Sequence, residues 1–145
     1  MNSNQILLNR IQTPDGTLLT SWNRHDYKTY TDNNGKLYMV DGGHDYLRRL
    51  VANPYTELSV YLSENHEENR KAAHWGTRGV DGKSPVRMVF LNTMSNDHIQ
   101  SCLDTQPIQG SYMETLFKTE LEYRKENNIT IKETYNYIDP HVIGV

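Results

Sequence analysis

Hydrophobic positions in this chain come in short runs whose spacing changes from strand-like to helix-like along its length. Gln5 to Gln12 reads as a first strand. Thr13-Pro14-Asp15-Gly16 ends it, since Pro at the second and Gly at the fourth position suit a type I turn. Thr17 to Ser21 can return antiparallel. Asp26 to Thr31 alternates Tyr with polar residues, and Tyr38-Met39-Val40 is strand-like too. Between them Asp32-Asn33-Asn34-Gly35 signals a hairpin, because Asn-Gly tolerates positive φ at both central positions. The first forty residues therefore predict an antiparallel β-meander.

Farther on, the period lengthens. After Asp41-Gly42-Gly43, the pairs Tyr46-Leu47 and Leu50-Val51 recur at helical spacing and predict a short helix over His44 to Val51. Leu58 to Leu62 is another β-like run. Ser63 is the expected N-cap of a short solvated helix, with Glu64, Glu67 and Glu68 early and Arg70 and Lys71 late. A loop from His74 to Gly82 and a strand over Val86 to Leu91 follow. Ser95 predicts the next cap, with Ile99, Cys102 and Leu103 on one face. The clearest helix spans about Ser111 to Asn127, turning Met113, Leu116, Phe117, Leu121 and Tyr123 inward. Strands first and helices last predict an α+β fold, an N-terminal antiparallel sheet packed by C-terminal helices. Residues 1–128 form the expected domain, and residues 129–145 a C-terminal arm or edge strand.

Composition narrows the function classes. The chain has 145 residues, enough for a real core, yet only 36% are hydrophobic and ten Tyr outnumber two Phe. Such an interior relies on Tyr, whose hydroxyl needs a partner when buried. A net charge of −3 argues against a general nucleic-acid coat built on counterion release. The single Cys102 excludes an intramolecular disulfide and fits a reducing compartment. No apolar run approaches the ~20 residues that span a bilayer. The Met1-Asn-Ser-Asn-Gln start lacks secretory signal features, so a soluble intracellular protein is expected.

The candidate chemistry sits on glycine-bearing loops. His-Asp-Tyr occurs at residues 25–27 and 44–46, and His74-Trp75-Gly76-Thr77-Arg78-Gly79 follows. Two His-Asp pairs could serve a metal, but there is no His-Glu-x-x-His and no Cys cluster. Capping by Asp26 and Asp45, with the imidazoles packed beside Tyr, is the competing expectation. Neither a metal nor a cofactor is assigned. No Gly-x-Ser-x-Gly elbow is present and Cys102 lies on an apolar face, so no catalytic residue is assigned. Anion recognition is the favoured reading: Arg24, Arg48, Arg49, Arg78 and Lys83 adjoin the turns, with His25 and His74 beside them. Gly42-Gly43 would precede a helix start whose N–H groups favour an anion, and Gly76, Gly79 and Gly82 would let the backbone approach a ligand closely or form a nest of N–H groups. Trp75 or Tyr46 could stack on a base.

The ordered set Arg10 to Gly16, Arg24 to Tyr27, Tyr38 to Gly43, Tyr46 to Arg49, His74 to Gly79, Asp97-His98-Ile99 and Glu120 to Lys125 resembles a family of small accessory proteins of large tailed bacteriophages. It covers roughly Leu7 to Lys125. The resemblance implies a setting, the cytoplasm of a bacterial host, and imports no catalytic residues. Three readings stay open: sequestration of a phosphorylated, nucleotide-like small molecule against host defence, inhibition of a host protein, or hydrolysis of a phosphodiester. A homodimer through the apolar C-terminal segment is also expected.

Overall fold

The computed structural model of the protein describes residues 4–144. Its antiparallel strands dominate the first half and its helices the second, an α+β fold. The chain divides into two compact units, Met1–Glu64 with Asp139–Val145 and Asn65–Ile138.

The first unit is all-β. Strand β1 (Ile6–Gln12) pairs with β2 (Leu18–Ser21), and β3 (Lys28–Thr31) pairs with β4 (Leu37–Asp41). Both hairpins are built alike: the turn glycine, Gly16 or Gly35, has positive φ and donates its N–H to the O of Thr13 or Asp32. Asn34 keeps negative φ, which corrects the expectation of two left-handed residues at Asn34-Gly35. Instead the Asp32 carboxylate accepts the N–H groups of Asn34 and Lys36, each at 2.9 Å, and so holds a turn closed by one left-handed glycine.

The helix expected over His44 to Val51 does not form. Residues 48–50 become β5 (Arg48–Leu50), paired on β4 with Asp41 opposite Arg48 and Met39 opposite Leu50. A helix there would leave the β4 edge unpaired, and the ladder overrides the helical spacing. Two short strands, β6 (Thr56–Glu57) and β7 (Val60–Tyr61), return along β1. Ile11, Leu19, Tyr38 and Val40 form the centre of this unit's core.

The second unit starts with α1 (His66–Ala72). Its cap is Asn65, whose side chain accepts the Glu67 N–H, and not Ser63. The expected loop at His74 is in fact strand β8 (His74–Thr77), paired with β9 (Arg87–Phe90). Helices α2 (Asn96–Thr105) and α3 (Tyr112–Glu126) begin at Ser95 and Ser111, whose hydroxyls accept the N–H groups of His98 and Glu114. On α3 the buried positions after Phe117 are Glu120 and Arg124, while Leu121 and Tyr123 are only half-buried. After α3 the chain runs without regular structure over this unit. Ile131 O accepts Asn96 N, Thr93 O accepts Tyr135 N, and Ile138 makes an antiparallel bridge to Met88. The last residues belong to the first unit, where Gly144 N donates to Leu18 O.

Candidate functional site

The residues expected to bind an anion divide between the two units: Arg24, His25, Tyr46, Arg48 and Arg49 in the first, His74, Trp75, Arg78 and Lys83 in the second. In the first unit the two His-Asp-Tyr tripeptides meet. Arg24 pairs with Asp45 at 3.5 Å, and His25 Nδ1 lies 3.4 Å from the Tyr46 hydroxyl. Asp26 caps its own turn, accepting the Trp22 N–H and the Lys28 ammonium. Gly42 and Gly43 open no helix. A Cβ on Gly42 would lie 1.8 Å from Tyr46 O, and one on Gly43 2.2 Å from the Asn23 carbonyl carbon. These glycines exist so that three backbone segments can touch.

Arg49 is fully engaged. It donates to Glu57 through two nitrogens, to Ser59 at 2.8 Å and to Asn9 Oδ1 at 2.6 Å. Asn9 in turn donates to the carbonyls of Asp41, Gly43 and Tyr46, which ties β1 to the tight turn. Arg48 is exposed and approaches Asp41 Oδ2 at 3.6 Å. The side chains of this region hold one another.

The second unit carries an open cleft of about 950 Å³. One wall is β8 and the loop after it, with Trp75, Gly76, Thr77 and Arg78. The opposite wall is a stripe of α2, His98, Ser101, Cys102 and Thr105, at the spacing that keeps residues on one helix face. The segment 132–137 closes a third side with Lys132, Glu133, Thr134 and Tyr137, and Asp97 at the start of α2 adds a second carboxylate to the lining. Of the expected residues, Trp75 and Arg78 line the cleft; His74 and Lys83 do not. The His74 Nδ1–H donates to Ala72 O, and its ring packs on Phe90. Trp75 is half-buried, its ring edge-on to Phe117 at 5.4 Å.

The N–H nest expected at Gly79 and Gly82 is closed. Gly79 N donates to Thr77 Oγ1, Gly82 N to Gly79 O, Lys83 N to Asp81 Oδ1 and Ser84 N to Arg78 O. The loop spends these donors on its own turn, so positive charge at the cleft comes from side chains. Among the described residues no carboxylate lies within ion-pair distance of Arg78 or Lys132. His98 Nδ1 is 2.9 Å from the Thr134 hydroxyl, which also accepts the Ser95 N–H at 2.9 Å. Burial lowers the His98 pKa and pushes the Cys102 thiol up to about 11. The wall therefore presents a neutral imidazole and a protonated thiol.

Sequence reasoning missed the groups that fix this unit. Glu120, wholly buried, accepts His66 Nε2 and Arg70 Nε on Oε1, and Arg70 Nη2 and Arg124 Nε on Oε2, all within 2.9 Å. Arg124 continues to Asn96 Oδ1 and Leu91 O. Burial pushes the Glu120 carboxyl up, but the bonds from Arg70, His66 and Arg124 outweigh it and hold the pKa at about 2. The only sequence sign of this cluster was the i,i+4 spacing of Glu120 and Arg124. Among the described residues no group of three or more His, Cys, Asp or Glu could hold a metal ion, and no helix is long and apolar enough to cross a membrane. Comparison with protein-family models, curated proteins and solved structures found no match to this chain.

Proposed function

We propose that the protein binds an anionic, nucleotide-like small molecule in the cleft of the second unit and acts by sequestering it. The observation that carries this reading is the combination of a cleft of about 950 Å³ with two cations, Arg78 and Lys132, free of carboxylate partners among the described residues. Small-molecule pockets fall at about 300–1,000 Å³, and Arg can grip a phosphate through two parallel hydrogen bonds. Trp75 and Tyr137 add aromatic surface, and hydroxyls from Thr77, Ser101 and Thr105 suit a sugar. The protonated Cys102 thiol favours binding over nucleophilic attack by that residue. In the phage setting that the sequence resemblance implies, removing a nucleotide signal would blunt a host defence in the bacterial cytoplasm.

Calorimetric titration with nucleoside 5′-monophosphates tests the reading, with chromatography of the recovered ligand to detect hydrolysis. Arg78→Ala should weaken binding at least tenfold, the equivalent of about 1.5–3 kcal/mol for a charge-assisted bond. Arg48→Ala, in the other unit, should leave it unchanged. If Arg78→Ala and Lys132→Ala both bind as the parent does, the cleft is not the site. A host-protein interface is the second reading, favoured by Val80, wholly exposed at the tip of the loop beside the cleft.

A further inference from the structure

The strand that walls the cleft carries a free hydrogen-bonding edge. In an antiparallel ladder, paired residues alternate between positions that exchange both backbone bonds and positions whose groups face outward. Met88 exchanges N–H and C=O with Ile138, each at 2.8 Å, on the side of β9 away from β8. Gly76, opposite Met88, is therefore at an outward position, and its N–H and C=O both point away from β9. The Leu91 N–H to Ala73 O bond, three residues out on each strand, confirms this parity. β8 pairs with β9 alone among the described residues, so the outward edge at Gly76 is unpaired. Gly76 is exposed and lines the cleft, and having no side chain it does so with its backbone. A Cβ at this position would meet Met88 and Val86 at 3.5 Å, on the sheet face and not on the edge.

We infer that the Gly76 N–H and C=O read the edge of a nucleobase, which makes the ligand a nucleotide recognised through its base as well as its phosphate. Each base has an edge with a donor and an acceptor side by side, such as adenine N6–H with N1 or N7, and such an edge matches one N–H and one C=O in the plane of a sheet. The base would lie where a third strand would, beside Trp75, with Arg78 two residues along the chain to take the phosphate. Only one short stretch of edge is free, which suits a planar heterocycle better than an extended peptide needing several successive bonds. This inference rests on the cleft being the binding site.

The test uses the full-length protein and the four common nucleoside 5′-monophosphates, followed by an edge-methylated form of the tightest binder. For adenosine monophosphate that form is the N6,N6-dimethyl derivative, which has no N–H left for the Gly76 carbonyl. It should bind at least tenfold more weakly. Gly76→Pro removes the N–H from an edge position that the ladder does not use, and should weaken the parent nucleotide by a similar factor. Gly76→Ala keeps both groups and should bind within about threefold of the parent. Equal affinity for the edge-methylated nucleotide overturns the base reading, and so does a folded Gly76→Pro that binds as the parent does. Should the proline variant fail to fold, the methylated ligand alone decides. Tight binding of ribose 5-phosphate, equal to that of the nucleotide, also rejects base recognition while leaving the cleft as an anion site. No binding by any of the four rejects the cleft reading itself.

Discussion

Glu120 shows most clearly what a single residue does in this protein. A buried carboxylate is tolerated because two guanidiniums and an imidazole fill its acceptor sites. Removing it with Glu120→Ala leaves Arg124, 1% exposed, without its carboxylate partner, and should cost about 3–5 kcal/mol in denaturant unfolding. The pH dependence follows from the same contacts. The folded pKa is about 2 against an ordinary 4.5, so the folded state favours the charged form. Its contribution is complete above about pH 4.5 and drains away as pH falls toward 2. Glu120→Gln should flatten the acid limb of the stability profile over that window; an unchanged limb would refute the assignment. The i,i+4 spacing of Glu120 and Arg124 stands in the sequence, though no expectation rested on it. Their burial was not legible there, because it depends on His66 and Arg70 arriving from α1.

At the scale of elements, the positions of the turns and two of the three α-helix caps were readable, whereas α1 starts at Asn65 and not at the expected Ser63. Ser95 and Ser111 cap the two main helices because a hydroxyl there meets a free N–H, a rule local enough to read from residue type. Ser95→Ala should lower stability by about 1 kcal/mol, measured as a shift in the denaturant midpoint. Residues 44–51 were misread for the opposite reason. Their apolar spacing is helical, yet β4 offers an unpaired edge and Asn9 anchors the carbonyls of the preceding turn. Gly43 marks this constraint. Gly43→Ala would push a Cβ into the Asn23 backbone at a left-handed φ of 53°, so it should destabilise the protein more than Ser95→Ala does. If the two variants unfold at the same midpoint, the close approach at Gly43 carries no strain.

For the whole molecule, the α+β class was legible because strand and helix signals separate along the chain, whereas the division of the candidate residues between two units was not. Nothing local in Arg48 or Arg78 tells which compact unit each joins; that follows from long-range pairing such as Ile138 with Met88. Long-range pairing also changes the meaning of the apolar C-terminal segment. Its inner part is held on the second unit by backbone bonds at Ile131, Tyr135 and Ile138, so burial by its own chain already accounts for Ile138. Tyr135, Tyr137, Val142 and Ile143 stay exposed, the last two, 47% and 37% exposed, just before the bond from Gly144 to Leu18. Exposed aliphatic residues held against a strand suit a self-complementary contact, and two-fold pairing is the commonest way to cover one. The expected solution mass by light scattering is therefore twice the 16.9 kDa of one chain at low micromolar concentration. Val142→Asp with Ile143→Asp should return it to the single-chain mass and make the unfolding midpoint independent of protein concentration. A parent protein that already runs at 16.9 kDa rejects the dimer and leaves these two side chains as ordinary exposed surface.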